Sequence, residues 1–242
     1  MVKGKGGASH FEMIISFVFF VGFVFFLFLF LKPYDTTILS GAVVTSLYDT
    51  FEEEVHTNLT NFFLKADYTG KEDCFYVKLP GGIFAYAFTR SNVTDIGGNY
   101  KSSYLDDEEL NIKEDETVYY RVAISPEFNE LETLDCADDA DELENEGGNN
   151  VYTLGSILER RVISYSSLEE MKWRYDTDYE NLKEELKVPD AFEFFIVSEE
   201  FPEISMKGLV PDSVEVVAYD YVMEVLKKDG TVINSRFTLG VW

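Results

Sequence analysis

The chain of 242 residues contains 45 acidic residues against 20 Lys and Arg, which gives a formal net charge of −25 at pH 7. This balance argues against nucleic acid and anionic lipid headgroups as partners, because both are negatively charged and are normally bound by clustered Lys and Arg. The length is sufficient for one domain with a real core or for two small ones, and we favour one.

The first predicted element is an apolar run from Met13 to Leu31, interrupted only by Ser16 and Gly22. A helix over this run is roughly 28 Å long, close to the ~30 Å hydrocarbon core of a bilayer. The run therefore predicts a transmembrane helix, in preference to a buried core helix or a cleaved secretory signal. Lys3 and Lys5 precede it and the remainder is acidic. This asymmetry predicts a single-pass protein of the cell membrane, with the N-terminus cytoplasmic and the C-terminal domain outside.

A second helix is predicted from Thr37 to Lys65, after an interruption at Pro33, which cannot donate a helical hydrogen bond. Its apolar residues recur at the steps of three and four that are typical of an amphipathic helix. They are Val44, Tyr48, Phe51, Val55, Leu59 and Phe62. The chain is thus divided into a basic leader (1–12), a transmembrane helix (13–31), an amphipathic extension (32–66) and an acidic α+β domain (67–242).

The α+β domain is predicted to contain an antiparallel sheet and one further helix. Short runs rich in aromatic and β-branched residues indicate strands at Cys74–Leu79, Ile83–Thr89 and Thr117–Ser125. Val214–Leu226 and Thr231–Trp242 alternate around an Asp-Gly pair, which favours a hairpin. The helix is expected to begin at a capping box of Ser166 and Glu169 and to end before Pro189. Its predicted apolar stripe consists of Leu168, Met171, Tyr175, Tyr179, Leu182 and Leu186. The predicted class is α+β, with the transmembrane helix and its amphipathic extension packed on the sheet.

Two cysteines, Cys74 and Cys136, both follow the apolar run. In an oxidising compartment they can form a disulfide, which would stabilise the fold by roughly 4 kcal/mol in the chain-entropy model. Two buried free thiols are the equally weighted alternative. The sequence leaves this choice open.

No residue pattern in the sequence indicates a catalytic site. His10 and His56 are the only histidines, so a histidine-based triad or metal cluster is not expected. The acidic loop from Asp135 to Glu146 offers hard oxygen ligands and a weak possibility of calcium, but a solvated loop is favoured. We therefore predict no enzymatic activity and no cofactor.

Two short patterns match the acceptor motif for N-glycosylation, at Asn58 and at Asn92. Asn58 lies near the apolar stripe of the predicted amphipathic helix, which makes it the poorer acceptor. Asn92 lies in a predicted loop and is the better candidate.

A short basic leader ends in Gly7, Ala8 follows it, and Glu12 stands at the start of the apolar run. In these features the N-terminal forty residues resemble the type IV pilin-like proteins of archaea. The resemblance implies that a prepilin peptidase cleaves between Gly7 and Ala8, which makes Glu12 the fifth residue of the mature chain. It also implies that the apolar helices bundle, with Glu12 neutralising the new amine of Ala8 on a neighbouring subunit. The alternative is that Glu12 lies among headgroups at the membrane surface.

The favoured function is therefore that of a membrane-anchored structural subunit, a minor pilin-like or pseudopilin-like protein of a filament or cell-surface assembly. Its expected partners are the lipid bilayer, a prepilin peptidase, and copies of itself or other pilin-like subunits. The main alternative is an anchored extracytoplasmic recognition or sensor domain that does not polymerise. A tethered hydrolase ranks third.

Overall fold

The computed structural model describes residues 7–30, 36–66, 74–80, 90–106, 108–113, 118–129, 134, 136 and 152–242, with backbone alone at 7–10, 28–30 and 36–38. Its helices are α1 (Gly7–Phe30), α2 (Thr36–Val55), α3 (Tyr165–Thr177) and α4 (Tyr179–Glu185), with a 3₁₀ turn at Pro202–Ile204. Its strands are β1 (His56–Ala66), β2 (Cys74–Lys78), β3 (Arg90–Asp95), β4 (Tyr100–Lys101), β5 (Ser103–Asp106), β6 (Glu109–Lys113), β7 (Tyr119–Ser125), β8 (Tyr152–Leu154), β9 (Leu158–Ser164), β10 (Phe194–Ser198), β11 (Val217–Leu226) and β12 (Val232–Val241).

The strands described here form two sheets. The larger has nine strands in the order β10-β12-β11-β9-β1-β7-β3-β4, with β8 also paired to β1, and the smaller has the order β2-β6-β5. Within these sheets the pairings are antiparallel except for β9 with β11, which run parallel. Strand residues outnumber helical residues. The predicted fold class, an α+β domain with the transmembrane helix and its amphipathic extension packed on an antiparallel sheet, is therefore wrong.

Strand β1 replaces the second half of the predicted amphipathic helix. Helix α2 ends at Val55, and β1 then pairs with β9 through His56–Asn61 and with β7 through Thr60–Lys65. The two halves of β1 bury opposite faces, and the change occurs near Thr60. Leu59 belongs to one core cluster, and Phe62, on the other face, belongs to another. The predicted helix is thus wrong beyond Val55, and α2 and β1 both contribute buried residues to the cores.

The cores lie on both faces of the larger sheet. Helices α2, α3 and α4 pack against β9 to β12, where Val44, Leu47, Phe51 and Val55 of α2 are fully buried. The small sheet is held against β1, β7 and β3 by a second cluster, which includes Phe75, Ile112 and Tyr120. A third cluster, on the opposite face, comprises Leu59, Phe128, Val162 and Leu226.

The C-terminal hairpin confirms the prediction made from its Asp-Gly pair. Gly230 has φ of 84°, a conformation that residues with a Cβ rarely adopt. The hairpin tip also reaches the far side of the curled sheet, since Asn92 Nδ2 and Tyr100 Oη donate to the carbonyl oxygen of Asp229 at 2.9 and 2.7 Å. Trp242 extends the pairing of β12 with β10, since its amide donates to Glu193 and its carbonyl oxygen accepts from Glu193.

The helix predicted before Pro189 is two helices, α3 and α4, that meet at Asp178. Its N-cap is Ser164, two residues before the predicted one, and the hydroxyl oxygen accepts from the amide of Ser167 at 3.0 Å. The carboxylate of Glu127, from the turn after β7, accepts from the Ser166 amide and the Ser164 hydroxyl. A negative charge is stabilised at a helix N-terminus, and this position accounts for the burial of the Glu127 carboxylate.

Helix α1 does not meet the requirement for a membrane span. Across the described residues no helix combines enough length with enough apolar character to cross a membrane. The predicted transmembrane helix, the single-pass location and its inside–outside orientation are therefore wrong. The predicted strand Ile83–Thr89 lies outside the described residues.

Candidate functional site

The apolar surface of α1 is the most distinctive exposed feature of the described chain. Seven phenylalanine side chains on this helix are between 51 and 75 % exposed. They are Phe11, Phe17, Phe19, Phe20, Phe23, Phe25 and Phe26. Because successive residues turn by 100° around a helix, Phe17, Phe19 and Phe25 point in widely different directions. The apolar surface thus surrounds the helix instead of forming one stripe.

This helix lies outside the cores of the domain. No described residue of α1 belongs to any of the three buried clusters. Their earliest member in the sequence is Val43, in α2. The domain from α2 onward therefore has its own hydrophobic cores. Helix α1 is left with apolar side chains that the described domain does not cover.

The exposed area is large enough to form an interface. A phenylalanine can bury ~150–250 Å², so seven that are roughly two-thirds exposed present roughly 900 Å². A standard protein–protein interface takes about 800 Å² from each partner. Burying this area favours association, but association itself costs ~4–15 kcal/mol and buried area does not convert directly to affinity. The seven rings lie all around the helix, so more than one neighbour is needed to bury them.

The predicted processing residues lie at the beginning of this helix. Gly7 is its first residue and Ala8 its second. Glu12 is four residues after Ala8, which places the two on the same side of the helix one turn apart. The Glu12 side chain is exposed. Cleavage after Gly7 and pairing by Glu12 stay predictions.

Cys74 and Cys136 are joined by a disulfide, with their Cα atoms 5.6 Å apart. It connects β2 of the small sheet to residue 136, whose amide also donates to Asn111 Oδ1 of β6 at 3.2 Å. Of the two alternatives left open by the sequence, the structure contains the bonded one. The bond fixes the segment around residue 136 to the small sheet.

The acidic loop proposed as a weak calcium site lies outside the described residues, apart from Cys136. Among the residues that are described, no group of three or more His, Cys, Asp or Glu side chains is arranged to hold a metal ion. Calcium binding by this loop stays untested.

Both predicted glycosylation residues lie in strands of the larger sheet. Asn58 is half-buried in β1 and is paired with Arg161 in β9. Asn92 is half-buried in β3, not in the predicted loop, and its amide nitrogen donates to Asp229. A glycan on Asn92 would displace this hydrogen bond, so the structure gives neither residue the exposed loop position that acceptors prefer.

A cleft of about 160 Å³ lies where β9 and β11 diverge, since these strands pair only at Ile163 and Ser164. Tyr48, Glu52 and His56 line one side, and Arg161, Val162, Ile163, Val222, Met223 and Glu224 line the other. His56 Nδ1 lies 2.6 Å from the carbonyl oxygen of Glu53, which is the geometry of a donated hydrogen bond.

The charges of this cleft already neutralise one another. Arg161 Nη2 lies 2.8 Å from Glu53 Oε2, and Arg160 Nη1 lies 2.7 Å from Glu224 Oε2. The hydrogen bond from Arg161, and then its charge, lower the pKa of Glu53. Such pairs stabilise the junction between α2, β1 and β9. They leave little charge for a ligand, so we assign the cleft no function.

Sequence reasoning missed the ion pair of Lys183, which is buried, with Glu193, which is half-exposed; Lys183 Nζ and Glu193 Oε1 are 3.0 Å apart. Burial raises the pKa of Glu193, but hydrogen bonds from Tyr179 and Lys183 and the lysine charge outweigh it and lower that pKa overall. The pair connects α4 to the residue before β10. Both residues look like ordinary surface charges in the sequence, and no local signal distinguishes them.

Comparisons with protein-family models, curated proteins and solved structures find no match to this chain. The functional argument therefore rests on the chain's own residues.

Proposed function

We propose that this protein is a structural, non-enzymatic subunit that associates with further copies of itself through helix α1. The observation that carries the proposal is the apolar surface around the whole of α1, attached to a domain with its own cores. Isolated apolar residues are normal on protein surfaces, but a continuous patch of several hundred Å² indicates an interaction site.

A second copy is the partner that best fits this surface. An α1 helix offers its partner the same large apolar side chains, so two copies bury equal apolar areas. Because the surface surrounds the helix, one neighbour cannot cover it. Several α1 helices must therefore pack together, with the acidic domains arranged around the bundle.

Glu12 is the exception to this apolar character and has a specific role in the proposal. Placed in a bundle, a carboxylate is costly unless a cation is nearby. The resemblance to archaeal type IV pilin-like proteins supports one solution, in which a prepilin peptidase removes residues 1–7 and the new amine of Ala8 on a neighbouring copy pairs with Glu12. Within one helix the two groups are a turn apart, so copies staggered by a few ångströms bring them together.

The first experiment compares the full chain with a fragment of residues 36–242 by sedimentation velocity over a range of concentrations. The full chain should sediment as a multimer, and the fragment as a monomer because its cores contain no described residue of α1. A monomeric full chain would refute the proposal.

The second experiment tests Glu12 by co-purification of a tagged variant with untagged native chains. Glu12→Ala and Glu12→Gln should both reduce co-purification, because either change removes the charge, whereas Glu12→Asp should retain most of it. The intact mass of the native protein determines whether the mature chain begins at Ala8. If both neutral variants co-purify as well as the native chain, Glu12 pairs with nothing in the assembly.

A further inference from the structure

Strand β11 has an open edge that begins where β9 and β11 diverge. On one side β11 pairs with β12 along its whole length, from Val217 to Leu226. On the other side it pairs with β9 only at Val225 and Leu226. Within the part of the chain that the structure describes, residues 217–222 therefore have a neighbouring strand on one side only.

The hydrogen-bond pattern shows which main-chain groups lie on the open edge. The amide of Lys227 donates to the carbonyl oxygen of Thr231 at 2.9 Å, at the end of the hairpin. Residues of an antiparallel ladder alternate between those that bond to the partner strand and those that direct both groups away from it. Counting back from Lys227, the amides and carbonyls of Ala218, Asp220 and Val222 point away from β12.

These main-chain groups are accessible. Ala218, Asp220 and Val222 are exposed, and Val222 is 70 % exposed. No backbone hydrogen bond among the described residues joins any of the three to another strand besides β12. Long edges of this kind are normally covered, shortened or blocked by proline, and residues 217–226 contain no proline. An open ladder of donors and acceptors matches the backbone of an extended strand.

The charge around the edge indicates which strand fits. The segment 208–226 contains four acidic residues and no Lys or Arg. On the face covered by α2, Tyr48 stacks on Tyr221 with ring centroids 4.0 Å apart. Burial, and then Tyr219 and the charge of the adjacent Asp49, raise the pKa of Tyr221, so Asp49 lies beside the edge.

None of these flanking carboxylates is neutralised within the described residues. Asp49, Glu215 and Asp220 are exposed, and no ion pair between described residues includes them. Pairing of two identical β11 edges would bring two acidic sets together, which disfavours a second copy of this chain. A strand that carries Lys or Arg has the complementary charge.

We infer that the open edge of β11 binds an extended, basic segment of another protein by strand addition. The main-chain groups of Ala218, Asp220 and Val222 supply the ladder, and the carboxylates on both sides of it select basic side chains. The inference does not depend on α1, so its failure would leave the proposed function intact.

The first test measures binding of an end-blocked, seven-residue peptide of alternating Lys and Val to the full chain by titration calorimetry. The control peptide has the same charge, but proline replaces each Val and removes the amide hydrogens that a ladder requires. The Lys-Val peptide should bind at one site and at least about tenfold more tightly than the Lys-Pro peptide. Equal binding of the two peptides would attribute the affinity to charge alone, and an undetectable Lys-Val complex would show that the edge accepts no strand. Either result overturns the inference.

The second test changes the edge itself. Val222→Pro removes an amide that does not bond to β12, so the hairpin should persist while binding of the Lys-Val peptide weakens about tenfold or more. Val222→Thr keeps the amide and the branched side chain and should leave binding within twofold.

A charge variant leaves the backbone unchanged and makes the test independent of proline. Asp220→Lys should weaken binding about fivefold, because it reverses a charge at the edge. Glu180→Lys, on an exposed residue of α4, changes the net charge equally and should leave binding within twofold. Unchanged binding by Asp220→Lys and by a folded Val222→Pro variant, or equal losses for Asp220→Lys and Glu180→Lys, would overturn the inference.

Discussion

Replacement of Phe51 by alanine tests whether α2 is an integral part of the domain. The Phe51 side chain is fully buried, and its ring centroid lies 5.9 Å from that of Phe237 in β12. Removing a buried phenylalanine costs about 3–5 kcal/mol, because apolar contacts are lost and a cavity remains. This is a large part of the ~5–15 kcal/mol that stabilises a typical domain.

The measurement is thermal and urea denaturation of the fragment 36–242. At about 2–4 °C per kcal/mol for a domain of this size, Phe51→Ala should lower the melting temperature by roughly 6–20 °C. Ser46→Ala on the exposed side of the same helix is the control and should change stability by less than about 0.5 kcal/mol. A loss below about 1 kcal/mol for Phe51→Ala would refute the assignment of α2 to the core.

Three further predictions concern single contacts. Asp95 should titrate with a depressed pKa of about 2, chiefly because the side chain and backbone of Asn99 donate to it. Its contribution to stability is therefore present above about pH 3.8 and is lost as the pH falls through about 2; a carboxyl NMR titration that gives an ordinary value would contradict this. Glu127→Ala should cost about 2–4 kcal/mol in urea denaturation, because it leaves two donors at the start of α3 without an acceptor, and Glu127→Gln should cost less. Replacing Cys74 and Cys136 by serine should cost about 4 kcal/mol, since the bond closes a loop with a sequence separation of 62, and an unchanged denaturation midpoint would contradict that reasoning.

Short-range signals predicted the C-terminal hairpin and most of the α3–α4 stripe. Asp229-Gly230 satisfies the positive φ of the turn within two residues, so no distant contact is needed to locate it. Leu168, Met171, Leu182 and Leu186 were expected on one apolar side, and all four are buried. The N-cap of α3 was predicted at Ser166 instead of Ser164, because the neighbouring sequence makes both serines suitable caps. The deciding contact comes from Glu127, which is 37 residues away along the chain.

The spacing of apolar residues could not predict the boundary between α2 and β1. Val55, Leu59 and Phe62 are spaced as on a helix, but the spacing arises because β1 is buried on one face at Leu59 and on the other at Phe62. A strand buried on both faces lacks the alternation that identifies strands. The exposure of Leu209 and Val214 was not predictable either, because it depends on how the loop before β11 crosses the end of the sheet.

The central claim is that α1 helices of different copies lie against one another, and cross-linking tests it most directly. Phe17→Cys, Phe19→Cys and Phe25→Cys place a thiol on three different sides of α1, and Ile96→Cys is the exposed control. Under mild oxidation each α1 variant should form disulfide-linked dimers of the full chain on a non-reducing gel, and Ile96→Cys should form few. If no α1 variant cross-links, or if the control cross-links as efficiently, the α1 helices do not pack together and the claim is contradicted.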